Sequence, residues 1–308
     1  MDDERDGPRT RPPRVDVAPR GEAAAMKHGA LLLERLARPG PLVSVELRPP
    51  RADLAAPDGM SAWIDLHHTL GSLTRRDLFV FLTDNAVGAA EEENLAHVGA
   101  NVGDAVDLRR IVPILTCKHA LEYCLTFALR AASDGFDALT VLGGDKGVGA
   151  PRCVPHGRDL RELIRARVPS MTLGGWANPH RDAAEQVGHL TASDAHADFA
   201  LTQIVSHHSI DVVGRFLDEL GRSGAGVPVV FGVFFYRSAN PATLSTLSRF
   251  FPVPVERLSD EFGRGRSAED ICARTIRELR EAGADKVYVS NLGSRAAGRR
   301  LARVLERV

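Results

Sequence analysis

The chain has 308 residues, 44% of them hydrophobic and 26% charged, with a formal net charge of -1, a globular composition long enough for one large core. The near-neutral balance argues against a general nucleic-acid binder, which would carry a basic excess, and no apolar run approaches the roughly 20 residues that span a bilayer. Cys117, Cys124, Cys153 and Cys272 form no CxxC pair, so neither a structural zinc site nor a disulfide framework is suggested, and a reducing cytoplasm fits.

Residues 1–25 are charged and rich in proline and arginine, without large apolar side chains. They bury too little surface to offset ordering entropy, so the expectation is a disordered segment, with Met26 as an alternative start. From residue 26 the chain alternates strand and helix. A first strand around 42–47 leads to a helix near 61–73. Asp77–Thr83 (DLFVFLT) reads as the second strand and Glu91–Val102 as a short helix. Ile111–Thr116 is the third strand, followed by the helix Ala120–Ser133, which ends before Gly135, a good left-handed stop. Ala138–Leu142 is the fourth, followed by GGDKGVG and a helix at 158–167.

Met171–Gly174 and Arg181–Asp194 give a fifth strand–helix unit, and Phe199–Gln203 with Ile210–Leu220 a sixth. Val229–Phe235 and Thr243–Phe250 give a seventh, an extra helix covers 254–262, and Ala268–Ala282 is a strong helix. Its Ile271, Thr275, Ile276 and Leu279 face reads as outer packing. Lys286–Ser290 and Ser294–Glu306 close the series. Eight strands alternating with helices imply right-handed crossovers and a parallel sheet. That number in one domain-sized span favours an α/β fold of the closed (β/α)8 TIM-barrel type, one catalytic domain over 26–308, rather than an open doubly wound sheet. No GxGxxG follows the first strand, which also weakens a dinucleotide-fold reading.

In such a barrel the chemistry belongs at the carboxyl ends of the strands. Strand one is VSVELRPPR, in which Val43, Val45 and Leu47 alternate with Ser44, Glu46 and Arg48 before Pro49 and Pro50 stop it. A carboxyl group in an apolar strand has its pKa raised by burial, which makes a proton donor at neutral pH. The plain alternative is an edge-strand glutamate facing water or paired with Arg48 or Arg51. Strand two offers Thr83 and Asp84, strand three Thr116, Cys117 and Lys118, and strand four Asp145. Trp176, Asn178 and His180 follow strand five. Thr202 and Gln203 end strand six, with His207 and His208 beyond. Phe235, Tyr236 and Arg237 follow strand seven, and Ser290 and Asn291 strand eight.

VSVELRPPR at 43–51, LTC at 115–117, LGGD at 142–145, GGWANPH at 174–180 and ALTQ at 200–203 together resemble the methylenetetrahydrofolate reductase family, in its order and near its spacing. The resemblance implies transfer of a hydride from NADH or NADPH to 5,10-methylenetetrahydrofolate, giving 5-methyltetrahydrofolate. It implies that Glu46 is the acid protonating the leaving nitrogen, that Asp145 accepts hydrogen bonds from the pterin's ring N–H and amino group, and that the Gln203 amide meets the pterin edge. A turn aspartate and a helix-entry polar residue are the plain alternatives for the last two. Thr83, Trp176 and His180 fall on positions used around the family's cofactor, FAD. The Lys146 loop could cradle a dinucleotide phosphate, or be a plain loop.

Departures bear on the cofactor. The arginine that the flavoenzymes carry after the strand-four leucine is Gly143 here. Counting back from Gln203, their phosphate-contacting lysine falls on Ala192, and the histidine before LTC is Ile114. Missing cations remove charge-assisted phosphate binding. The expectation is therefore that no FAD is tightly bound, as in the similar flavin-independent actinobacterial branch. The competing readings are a Schiff-base aldolase using Lys118 and a non-catalytic folate-binding or partner barrel. The pair His207–His208 lacks a third metal ligand at familiar spacing and reads as a solvated loop. The partners expected are a small folate, no nucleic acid and no membrane. A homo-oligomer is compatible with the chain.

Overall fold

Apolar runs such as IVPILT and VVFGVF can only be satisfied where both faces of a strand are buried, and a closed parallel barrel ringed by helices supplies that. The computed structural model describes residues 30–50, 54–83, 106–144 and 149–308. Its strands are β1 (Leu42–Leu47), β2 (Val80–Leu82), β3 (Ile111–Thr116), β4 (Ala138–Leu142), β5 (Thr172–Ala177), β6 (Phe199–Val205), β7 (Val229–Phe234) and β8 (Lys286–Ser290). They pair in sequence order, and β8 closes on β1. The chain is a (β/α)8 barrel.

The helices among the described residues are α1 (Ala30–Ala37), α2 (Ala56–Thr74), α3 (Leu121–Asp134), α4 (Gly157–Arg167), α5 (Ala183–Thr191), α6 (Ile210–Ser223), α7 (Pro241–Leu247), α8 (Val255–Gly263), α9 (Ala268–Glu281) and α10 (Ala297–Leu305). None is long and apolar enough to cross a membrane. The period-2 alternation of each strand divides the core in two. Val43, Val45, Leu115, Val141, Phe231 and Val289 face outward to the helices. Leu42, Phe81, Val112, Phe199, Leu201 and Tyr288 fill the lumen.

Strand β1 has no free edge, since it pairs with β2 and with β8. The reading of Glu46 as an edge residue facing water is thereby overturned, and the strand's polar face is the barrel's inside. The sequence did not suggest α1. Its Leu32 and Leu36 join the lumen cluster, and the Lys286 amine donates to the carbonyl of Arg38, 2.8 Å away, so this helix stops the foot of the barrel. Strand β2 is shorter than expected because Asp77 adopts a left-handed conformation (φ 61°) in the turn after α2. Strand β6 runs two residues further than expected, through a register shift between Leu201 and Ile204. The expected helix at 91–102 and the expected disordered segment lie outside the described residues, as do Asp84, Asp145 and Lys146.

Candidate active site at the carboxyl ends of the strands

Glu46 stands one residue from the end of β1, on the lumen side with Leu42 and Ser44. The β1–β8 register pairs Ser44 with Tyr288 and Val45 with Val289, so the next step sets Glu46 beside Ser290. Its carboxyl is raised above the ordinary 4.5, chiefly because protein surrounds it. Arg48 and a hydrogen bond with the Ser290 side chain pull in the other direction without cancelling the burial. The residue as a whole remains half-buried, open towards the mouth while its carboxyl is enclosed. A carboxyl whose pKa is raised by burial, on a residue that is not fully buried, has the direction of shift that a proton donor needs.

Phe81 pairs with Glu46. Thr83 lies two residues on, and its N–H donates to the Leu47 carbonyl (2.9 Å), which fixes it at the rim next to the acid. Trp176 sits on β5 opposite Leu201 and packs against the lumen cluster. His180 follows β5, with Nε2 2.9 Å from the Ile204 carbonyl. That oxygen can only accept, so Nε2 donates and, in the neutral ring, Nδ1 keeps the lone pair. Gln203 lies in the irregular turn of β6. Its Oε1 accepts from the Ile204 N–H (2.9 Å) and its Nε2 donates to the Phe250 carbonyl (3.2 Å). One amide hydrogen and one lone pair remain for a ligand. Glu46, Thr83, Trp176, His180 and Gln203 thus gather at one end of the barrel.

Beneath Glu46 lies a cluster that the sequence did not reveal. The Tyr288 hydroxyl donates to the Thr202 carbonyl (2.6 Å), and the Thr202 hydroxyl accepts from the Gly232 N–H (3.1 Å). Gly232 is required here, since a Cβ would stand 2.5 Å from the Tyr288 hydroxyl. Burial, and secondarily Glu46, hold the Tyr288 phenol well above its ordinary value. With its proton committed to Thr202, it does not compete with Glu46 as a donor.

Two sequence expectations about cations need correction. Gly143 does not leave a gap, because a Cβ there would stand 2.8 Å from Cζ of Arg152. That guanidinium donates to the carbonyls of Gly144 and, at 3.2 Å, Pro155. Ala192 follows α5, which runs back from the end of β5 to the foot of the barrel, where Ala192 shares a groove with Asp198 and Val227. Its lack of charge therefore says nothing about the mouth. Among the other strand-end candidates, Lys118 is buried, with Nζ donating to the Ala150 carbonyl (2.9 Å). Burial pushes the Cys117 thiol up to about 12, so it is not a thiolate nucleophile.

No family model and no curated protein matches the chain. Among solved structures it is similar to an uncharacterized protein from Clostridium thermocellum that binds two copies of 5-methyl-5,6,7,8-tetrahydrofolic acid. The identity is 15% and the TM-score 0.65, over 90% of this chain and 98% of that one. The shared feature is the barrel. A Schiff base forming fructose-1,6-bisphosphate aldolase (11% identity, TM-score 0.47, 90% and 98% of the two chains) and a mandelate oxidase mutant (16%, 0.47, 86% and 72%) are more distant in shape. Two surface grooves, one between α2 and α10 lined by Arg76, Arg299 and Arg303 and one at the foot beside Ala192, lie away from Glu46.

Proposed function

We propose that this barrel takes a reduced folate at its mouth and reduces 5,10-methylenetetrahydrofolate to 5-methyltetrahydrofolate, with NADH or NADPH as the hydride donor. The observation that carries the proposal is Glu46, a lumen-side carboxyl near the end of β1 whose pKa is raised by burial while the residue is only half-buried. The Clostridium thermocellum barrel, of similar shape, binds a folate of the same class, which supports the ligand. Opening the five-membered ring of the substrate to an electrophilic iminium requires a proton on the leaving nitrogen. Glu46 holds that proton and gives it up, and Ser290 steadies the carboxylate that remains. NADH or NADPH supplies the hydride that the iminium carbon accepts. We assign Asp145 and Gln203 to orienting the pterin, and Thr83, Trp176, His180 and Lys146 to contacting the nucleotide.

Near β4, Gly143 brings no side chain; the Arg152 guanidinium that fills its place donates through its Nη atoms to the Gly144 and Pro155 carbonyls, while its buried Nε has no partner. We therefore infer the absence of FAD from the resemblance to the flavin-independent branch. In this reading hydride passes directly from the nicotinamide to the folate. Incubation of the purified chain with NADH and methylenetetrahydrofolate should yield one 5-methyltetrahydrofolate per NADH oxidised, from protein lacking flavin absorption. Activity that appears only with added FAD would overturn the direct transfer. A second reading, a folate-binding barrel without turnover, is favoured by the same Clostridium thermocellum relative. Tight 5-methyltetrahydrofolate binding with no NADH or NADPH oxidation would establish it.

A further inference from the structure

His207 and His208 are not on a solvated loop. They form a short turn after β6, locked by Ser206 and Ser209. The Ser206 hydroxyl accepts from the His208 N–H, and the Ser209 hydroxyl accepts from the Ser206 N–H (3.1 Å). The lock sends both imidazoles the same way, with ring centroids 3.9 Å apart. Both reach one carboxylate, Glu261 near the end of α8. His207 Nε2 lies 3.0 Å from Oε1 and His208 Nε2 3.3 Å from Oε2. Their side chains are 1%, 12% and 13% exposed.

We propose that His207, His208 and Glu261 form a zinc-binding site, separate from the mouth, that ties the end of β6 to α8 and α9. Ligand atoms held about 2.0–2.1 Å from a tetrahedral zinc lie about 3.3 Å from one another, and each imidazole stands at about that distance from its own oxygen of Glu261, 3.0 Å for His207 and 3.3 Å for His208. All three candidate ligand atoms lie within 4.8 Å of each other. The orientation of His207 fits the same reading. Its Nδ1 is 2.8 Å from the Thr275 hydroxyl on α9, and that hydroxyl is 3.1 Å from the Ile271 carbonyl. A hydroxyl that donates to Ile271 accepts from Nδ1–H, which leaves the Nε2 lone pair facing a carboxylate oxygen. A cation between them resolves that opposition, and an oriented second nitrogen is the usual companion of a metal-bound histidine.

Two imidazoles and one carboxylate suit zinc better than magnesium or calcium, which take oxygen ligands. Arg274 contacts Glu261 at 3.0 Å but already holds Glu278 at 2.7 Å, so it can release Glu261 without losing its ion pair. Three protein ligands leave the fourth position to water.

The test uses the full-length chain, stripped with a chelator and titrated with zinc chloride by calorimetry, with magnesium chloride as control. One zinc per chain should bind with a Kd of about 1 μM or tighter, and magnesium should not bind at this site. H208Q and E261Q should each weaken zinc binding at least tenfold while the circular dichroism spectrum stays unchanged. T275V, which removes only the hydroxyl, should weaken it about 10–100-fold, the scale for a partner of a metal-bound histidine. Cobalt substitution should give the visible bands of a tetrahedral site in the wild type and not in H208Q. If the wild type binds zinc no better than folded H208Q or E261Q, the triad is a structural hydrogen-bond cluster and the site does not exist.

Discussion

A single methyl group tests whether the lumen cluster beneath Glu46 is built as described. In Gly232→Ala the new Cβ would stand 2.5 Å from the Tyr288 hydroxyl, 2.7 Å from its Cζ and 3.1 Å from Ile204 Cδ1. Tyr288 is 2% exposed and cannot swing aside without giving up its 2.6 Å hydrogen bond to Thr202. Overpacking costs about 1–3 kcal/mol, and an unpaired buried carbonyl about 1–3 kcal/mol more. A loss of about 2–6 kcal/mol corresponds to a Tm lower by about 3–10 °C in a domain of this size. Gly214→Ala is the control. It lies inside α6 with nothing within 4 Å of the new Cβ, so Ala should stabilise by about 0.5–1 kcal/mol. Thermal unfolding followed by circular dichroism reads both, and the Gly232→Ala/Tyr288→Phe double variant should recover part of the loss, since the offending hydroxyl is gone. A Gly232→Ala protein melting with the wild type, or strict additivity in the double variant, would refute the cluster.

The pH dependence of stability has a definite sign at Glu46. Its folded pKa is raised above 4.5, so no penalty exists at pH below 4.5. The penalty grows as pH rises through the folded pKa and is full above it. Glu46→Gln should therefore melt above the wild type at pH 8 and with it at pH 4, by calorimetry at both pH values; the reverse order would mean that the carboxylate is well solvated. Asp145→Asn should weaken folate binding by about 1.5–3 kcal/mol, the scale of a hydrogen bond to a charged group, and an unchanged Kd by calorimetry would reassign it to the turn. Initial rates in flavin-free protein should give intersecting double-reciprocal lines, since direct transfer needs both substrates bound together. Parallel lines would indicate a reduced-enzyme intermediate instead.

All eight strands were legible because each is an apolar run closed off by glycine, proline or charge. Their alternation with amphipathic stretches dictated the closed barrel. The lumen position of Glu46 followed from the same period-2 pattern once β1 was known to have neighbours on both sides. What escaped depends on contacts far apart in sequence. Helix α1 is eight residues long, abuts a polar segment, and is held by packing on the foot of the barrel rather than by its own periodicity. The bulge at Thr202 and Gln203 is set by β7 and β8, through Gly232 and Tyr288. The guanidinium standing in for the side chain that Gly143 lacks arrives from Arg152, and the third partner of His207 and His208 comes from an amphipathic helix, α8, where Glu261 looks like surface. Counting back from Gln203 matched Ala192 to a phosphate-contacting lysine, but counting ignores that α5 has carried the chain back to the foot.

In the proposed reaction Glu46 delivers the proton that opens the folate ring. The most direct measurement is the turnover of methylenetetrahydrofolate by Glu46→Gln beside the wild type, with folate affinity measured on the same samples. Gln keeps the shape and hydrogen-bonding capacity but has no transferable proton. The variant's kcat should be lower by about 10²-fold or more, with the folate Kd changed much less. A Glu46→Gln enzyme that turns over at the wild-type rate would contradict it.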